Sequence, residues 1–151
     1  MLGSRSVLER TMAAARSSKL PWHVEDADRA GMGDSIAAGV RASAGVPAWL
    51  ILRGDLPLIQ ACTLRRIAQA PMSLDVVVPV FEGRCGHPVR FSARCGPELT
   101  RPGRPGGAAG IVRAGRGALW PVDDRGRILD IDTLDHLRRA RQLLRGRQML
   151  P

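Results

Sequence analysis

"AWLILRGDLPLIQ", residues 48–60, is an apolar run that breaks at Arg-Gly-Asp and resumes after a single Leu-Pro. Trp49-Leu50-Ile51-Leu52 is too short for a helix and shows no polar alternation, so it reads as a buried strand. Gly54 permits a sharp turn. Asp55 then projects just past the strand's carboxyl end, and Pro57 stops the strand from continuing. In open α/β sheets that edge is where ligands bind. Taken alone, the stretch reads equally well as an ordinary turn aspartate.

On either side of it, strand-like and helix-like segments alternate. "SVLERTMAAARSS" (6–18), "GMGDSIAAGVRASAG" (31–45), "TLRRIAQA" (63–70) and "TLDHLRRARQLL" (133–144) carry helical apolar spacing, with Asp34 or Ser35 placed to cap the second. "DVVVPVF" (75–81), "HPVRF" (87–91) and "GRILDID" (126–132) read as strands, and "LPWHVE" (20–25) as a short one. The Pro/Gly-rich 101–110 reads as a loop. The pattern predicts one layered α/β domain over residues 1–151, with a mostly parallel sheet.

The bulk numbers narrow the function classes. A chain of 151 residues suits a single domain. No apolar run approaches the ~20 residues needed to span a bilayer, so no membrane partner is expected. Three cysteines without zinc-like spacing suit a reducing, cytoplasmic setting. The formal charge of +9 points to an anionic partner, a nucleotide phosphate as readily as a nucleic acid. Lys19 is the only lysine among 23 basic residues. The arginines are dispersed apart from a cluster at 138–147.

Four stretches stand in order: "GMGDSIAAGV" (31–40), "LRGDLPL" (52–58), "GRCGHPVRF" (83–91) and "DIDTLDHL" (130–137). In order, spacing and residue type they resemble the molybdenum cofactor cytidylyltransferase group of the MobA-like NTP transferases, from about Leu2 to Leu144. The resemblance implies a Rossmann-like nucleotidyltransferase fold with helices on both faces of the sheet. It also implies transfer of a nucleoside monophosphate, CMP from CTP ahead of GMP from GTP, to a phosphorylated acceptor such as molybdopterin, with release of pyrophosphate. A molybdoenzyme that receives the finished cofactor is the protein partner it implies.

The resemblance assigns catalytic and metal-binding roles to Asp55 and Asp132, with Mg²⁺ as cofactor, a hard ion that prefers carboxylate and phosphate oxygens. Asp130 and Asp132, two apart, share a face if the segment is a strand. Asp132 is equally suited to capping the helix that follows, with Asp135 at its third position. Gly31, Met32, Gly33 and Ser35 match the nucleotide-approaching loop, where a helix start directs free N–H groups outward. His87 and Pro88 match the acceptor side. Arg53 is open between contacting phosphate and pointing to solvent, and His23 and His136 have no matching role.

Two departures stand out. The family begins with a strand and a Gly-rich phosphate loop bearing a basic residue, whereas this sequence begins after that point, at "LGSRSVLER". A first strand is therefore expected to be missing, through a mis-assigned start or gene decay, and turnover by this chain alone is expected to be low. In addition, "GRPGGAAGIV" (103–112) lacks an acid that relatives carry. Two alternatives stay open: a non-catalytic remnant of the fold, or a basic nucleic-acid-binding protein resting on "RPGRPGG". Scattered arginines and only two Phe and three Trp make nucleic acid the less favoured partner.

Overall fold

The computed structural model describes residues 2–101 and 107–148. Helix α1 (Val7–Ser18) starts at a reciprocal cap. Ser6 Oγ accepts from Glu9 N at 3.1 Å, and the Glu9 carboxylate accepts from Ser6 N at 2.6 Å. Helix α2 (Met32–Ala42) begins at Gly31 with no side-chain cap, so neither Asp34 nor Ser35 takes the capping role expected of it. Strand β1 (Ala48–Ile51) and helix α3 (Ala61–Ala68) follow. Next come β2 (Val76–Phe81), β3 (Arg84–Cys85), β4 (Val89–Ser92), α4 (Gly96–Leu99) and α5 (Gly107–Ile111). Strand β5 (Gly117–Pro121) and helix α6 (Leu134–Gln148) complete the order.

The layered α/β architecture is as expected, but the mostly parallel sheet is not. β4 pairs antiparallel with both β1 and β2, the β2–β3 pair is also antiparallel, and only β2–β5 is parallel. The reason lies in β4, which returns between β1 and β2 and keeps them from pairing. Because β1 and β2 both oppose β4, they run in the same sense as each other, and β5 joins them. Period-2 alternation along β2 then serves two layers. Val76 and Val78 pack with Val40, Phe91, Leu99 and Ile111 on one face. Val77 packs with Ile67, Ala70 and Val122 on the other. Pro79, which has no N–H to give, sits where β2 has left β4 (Val77↔Arg90) and not yet met β3 (Val80↔Cys85).

Two strand expectations fail. Residues 20–25 form no strand, and β1 pairs only with β4 among the described residues. Trp22 instead stays 46% exposed, with the Arg16 guanidinium 5.3 Å from its ring centroid. Residues 126–132 are not a strand either. Arg125–Ile128 form a 3-10 turn, and a loop outside any strand leads to α6. Side chains hold this turn in place of a ladder. Buried Arg127 donates to Pro79 O at 2.9 Å, to Phe81 O at 3.3 Å and to Arg84 O. Buried Asp124 accepts from Gly126 N, Gln60 N and Thr63 Oγ1 at 2.8–2.9 Å. One carboxylate thereby serves the open N-terminus of α3 and the turn together.

Arg90 is the second fully buried arginine, and it donates to the carbonyls of Ala70, Pro71 and Leu74. Part of the positive charge counted in the sequence is therefore internal. Residues 102–106, which supplied most of the "RPGRPGG" reading, lie outside the described residues. Among the described residues, no helix is long and apolar enough to cross a membrane.

Candidate functional site

Leu56, Leu58 and Ile59 are buried just after β1, and they pin the turn that presents Asp55. Thr11 Oγ1 donates to Gly54 O at 3.0 Å, tying α1 to the same turn. Ile131 N donates to Asp55 O at 3.1 Å. That backbone bond, together with Leu129 and Ile131 packed against Leu2, Leu58 and Ala140, brings Asp130 and Asp132 toward Asp55. The aspartates thus converge through a loop docked on a turn, not through the strand alternation read from the sequence.

Arg53 lies at the centre of this convergence. Its Nη2 contacts Asp55 Oδ2 and lies 3.9 Å from Asp132 Oδ1, and its Nη1 is 3.6 Å from Asp130 Oδ2. Exposure rises outward, from 26% for the Asp55 side chain through 37% for Asp130 to 58% for Asp132. Asp55 Oδ1 is buried and has no hydrogen-bond partner. Such an oxygen is costly unless a donor or cation meets it.

Thr133, not Asp132, caps α6: its Oγ1 accepts from His136 N at 3.2 Å. The Asp132 carboxylate is thus released from the capping role open to it in the sequence. Asp132 N points instead to His136 Nδ1 at 3.4 Å. Ligand-capable atoms of Asp130, Asp132 and His136 lie within 4.8 Å of one another. Sequence reasoning gave His136 no role and left Arg53 undecided. The Asp-x-x-x-His spacing of 132 and 136 across a helix start was the available signal, since residues four apart share a helix face.

His87 belongs to the same neighbourhood. Its N–H donates to Arg127 O at 3.2 Å, its peptide bond to buried Pro88 is cis, and its Nδ1 is buried without a partner. Burial lowers the His87 pKa below the usual 6.5, and the Arg53 charge acts in the same direction. The Ile51 backbone, Asp55 and Asp130 oppose it. With the folded value below the unfolded one, the unfolded chain takes up the proton first. Stability should therefore fall as pH drops through 6.5 and level off below the folded pKa. Urea unfolding at about pH 7.5 and 5.5 checks this: the loss should be larger in the wild type than in His87→Gln.

The glycine-rich start of α2 lies open to solvent. Gly31, Met32, Gly33 and Asp34 are exposed, and Ser35 is half-buried. A Cβ at Gly31 or Gly33 would meet nothing within 4 Å. No hydrogen bond or ion pair among the described residues joins this helix start to the aspartates. Its neighbour is the start of α5, where a Cβ on Gly107 would stand 3.8 Å from Gly33 Cα.

Residues 3–123 match the MobA-like NTP transferase domain. No curated protein matches the chain in sequence. Among solved structures, the fold is similar to that of Rv0371c from Mycobacterium tuberculosis H37Rv, with TM-score 0.80 and 23% identity over 94% of this chain and 88% of that one. A structure of Rv0371c in complex with manganese aligns at 0.78 and 22% identity, over 94% and 89% of the two chains. 2-C-methyl-D-erythritol 4-phosphate cytidylyltransferase from Thermus thermophilus aligns at 0.68 and 21% identity, over 96% and 92%. Molybdopterin-guanine dinucleotide biosynthesis protein A from Archaeoglobus fulgidus aligns at 0.64 and 16% identity, over 97% and 89%. At these identities the likeness is one of fold.

Proposed function

The chain belongs to the MobA-like NTP transferase domain family, and on that premise we propose that it moves CMP from CTP to a phosphorylated acceptor of the molybdopterin type. The observation that carries this reading is the meeting of Asp55, Asp130 and Asp132 at the carboxyl end of β1. Two distant chain segments supply them. That edge is where open α/β sheets bind ligands.

The donor set fits a divalent ion such as Mg²⁺ or Mn²⁺. It combines hard carboxylate oxygens, one of them buried and unpartnered on Asp55, with the nearby His136 imidazole. Asp55 and Asp132 would hold it, with Asp130 and His136 completing the cluster. When bound, such an ion neutralises charge on the reacting phosphate and favours in-line displacement.

The residues around it supply position. The N–H groups of Gly31, Met32 and Gly33, free of any side-chain cap, offer donors to nucleotide phosphate, and Ser35, whose N–H already donates to Gly31 O, adds its hydroxyl. His87, its pKa lowered by burial, stands with an unpartnered Nδ1 on the acceptor side, beside Pro88. The preference for CTP over GTP rests on the likeness of the four motifs and on a cytidylyltransferase among the similar folds.

Calorimetric titration of the purified chain with CTP and with GTP, each with and without Mg²⁺ or Mn²⁺, tests this. Binding should require the divalent ion and favour CTP by about tenfold, or ~1.4 kcal/mol. Binding of neither nucleotide at millimolar concentration would remove the reading.

A further inference from the structure

Arg53 differs from the other arginines held inside the fold. Arg90 and Arg127 are each fixed by three backbone carbonyls. The partners of Arg53 among the described residues are carboxylates alone, namely Asp55, Asp130 and Asp132. Its Nη2 stands between Asp55 Oδ2 and Asp132 Oδ1. An ion shared by those two oxygens needs the same space, because divalent metals sit at roughly 2.0–2.6 Å from their oxygen ligands.

We infer that Arg53 is the resting counter-ion of the acidic cluster, and that a divalent cation loads by displacing its guanidinium. This rests on the reading of Asp55 and Asp132 as metal ligands. Charge balance supports it: three carboxylates left facing one another would repel, and one guanidinium relieves that repulsion while no metal is bound. Partial exposure supports it as well. The Arg53 side chain is 30% exposed, so it has solvent to swing into, and no carbonyl bond holds it back. The cost of this arrangement is weaker metal binding, since the ion must break ion pairs before it makes its own bonds.

Mn²⁺ titration of the full chain, followed by loss of the free-ion paramagnetic resonance signal, reads this directly without turnover. Arg53→Gln removes the competing charge and keeps the length, and should tighten Mn²⁺ binding by about tenfold. Arg53→Lys keeps the charge but cannot fork across the carboxylates, and should tighten it by a smaller factor, about threefold. If Arg53→Gln does not fold, as judged by a thermal melt, the lysine variant carries the test. Equal or weaker Mn²⁺ binding in the folded variants would overturn the inference. Asp132→Asn separates the two layers. If it abolishes Mn²⁺ binding while the Arg53 variants match the wild type, the metal-site reading stands and only the counter-ion role falls. If wild type and all variants bind alike, or none binds, both fall.

Discussion

Replacing Asp55 by Asn is expected to weaken divalent-dependent CTP binding by about a hundredfold, roughly 2.7 kcal/mol. The substitution keeps the side chain's size and removes one unit of charge from the most buried carboxylate of the cluster, at 26% exposure. It also exchanges one of the two carboxylate oxygens for an amide NH2, which can only donate, beside an oxygen that is buried without a partner within the protein. The fold should tolerate the change. Arg53 keeps Asp130 and Asp132, and a partly exposed ion pair is worth about 0–1 kcal/mol. Paired calorimetry and thermal melts therefore separate the effects: affinity should collapse while the melting temperature moves by only a few degrees. Unchanged affinity would return Asp55 to the status of a turn residue.

The largest loss of stability is expected at Gly126. A methyl group there would fall 2.8 Å from Ile59 N and closer still to the Leu58 carbonyl. Both obstacles are backbone, in the segment that anchors the Asp55 turn, so neither can rotate out of the way as a side-chain end would. Gly126→Ala must push apart the 58–60 segment and the 3-10 turn, and with them the Asp124 bonds to Gln60 and Thr63. A cost of at least ~3 kcal/mol is expected. That is a large share of the roughly 5–15 kcal/mol typical of a domain. Urea denaturation reads it as a lowered midpoint. A variant as stable as the wild type would show that the two segments can separate cheaply. The same comparison with Gly31→Ala, where a Cβ meets open space, should show little change.

What the sequence revealed followed the range of the forces involved. β1 and its Arg-Gly-Asp exit were legible because a short apolar run, a glycine and a proline act locally. α1 was legible from the helical spacing of its apolar residues, whereas its capping pair, Ser6 and Glu9, emerged only in the structure. β5 was not, because Gly117, Pro121 and an exposed Leu119 erase the alternation that marks a strand. The direction of β4 was hidden for a different reason. "HPVRF" carries strand propensity but nothing that says which neighbours it will separate. Arg127 and Arg90 counted as surface charge in the sequence, whereas the fold spends them on backbone carbonyls. Within the candidate site, the family likeness named Asp55, Asp132 and His87, and of these the structure sets Asp55 and Asp132 against Arg53. Asp130, His136 and the place of Arg53 needed the docked 129–133 loop. The likeness also named the glycine-rich start of α2, which is exposed and which no hydrogen bond or ion pair among the described residues joins to the cluster.

The bond from Ile131 N to Asp55 O closes a loop that runs through most of the sheet. Contacts so distant along the chain tend to form late, because the entropy of closing the loop must be met before they are gained. Asp130, Asp132 and His136 ride on the segment that makes this closure, outside the paired strands. The acidic cluster is thus expected to be among the last parts of the molecule to assemble. Local opening at the start of α6 would scatter it while the β1–β4–β2 core stays intact. Spectroscopic helix content and cluster integrity need not vanish together on mild denaturation, and the cluster should vanish first.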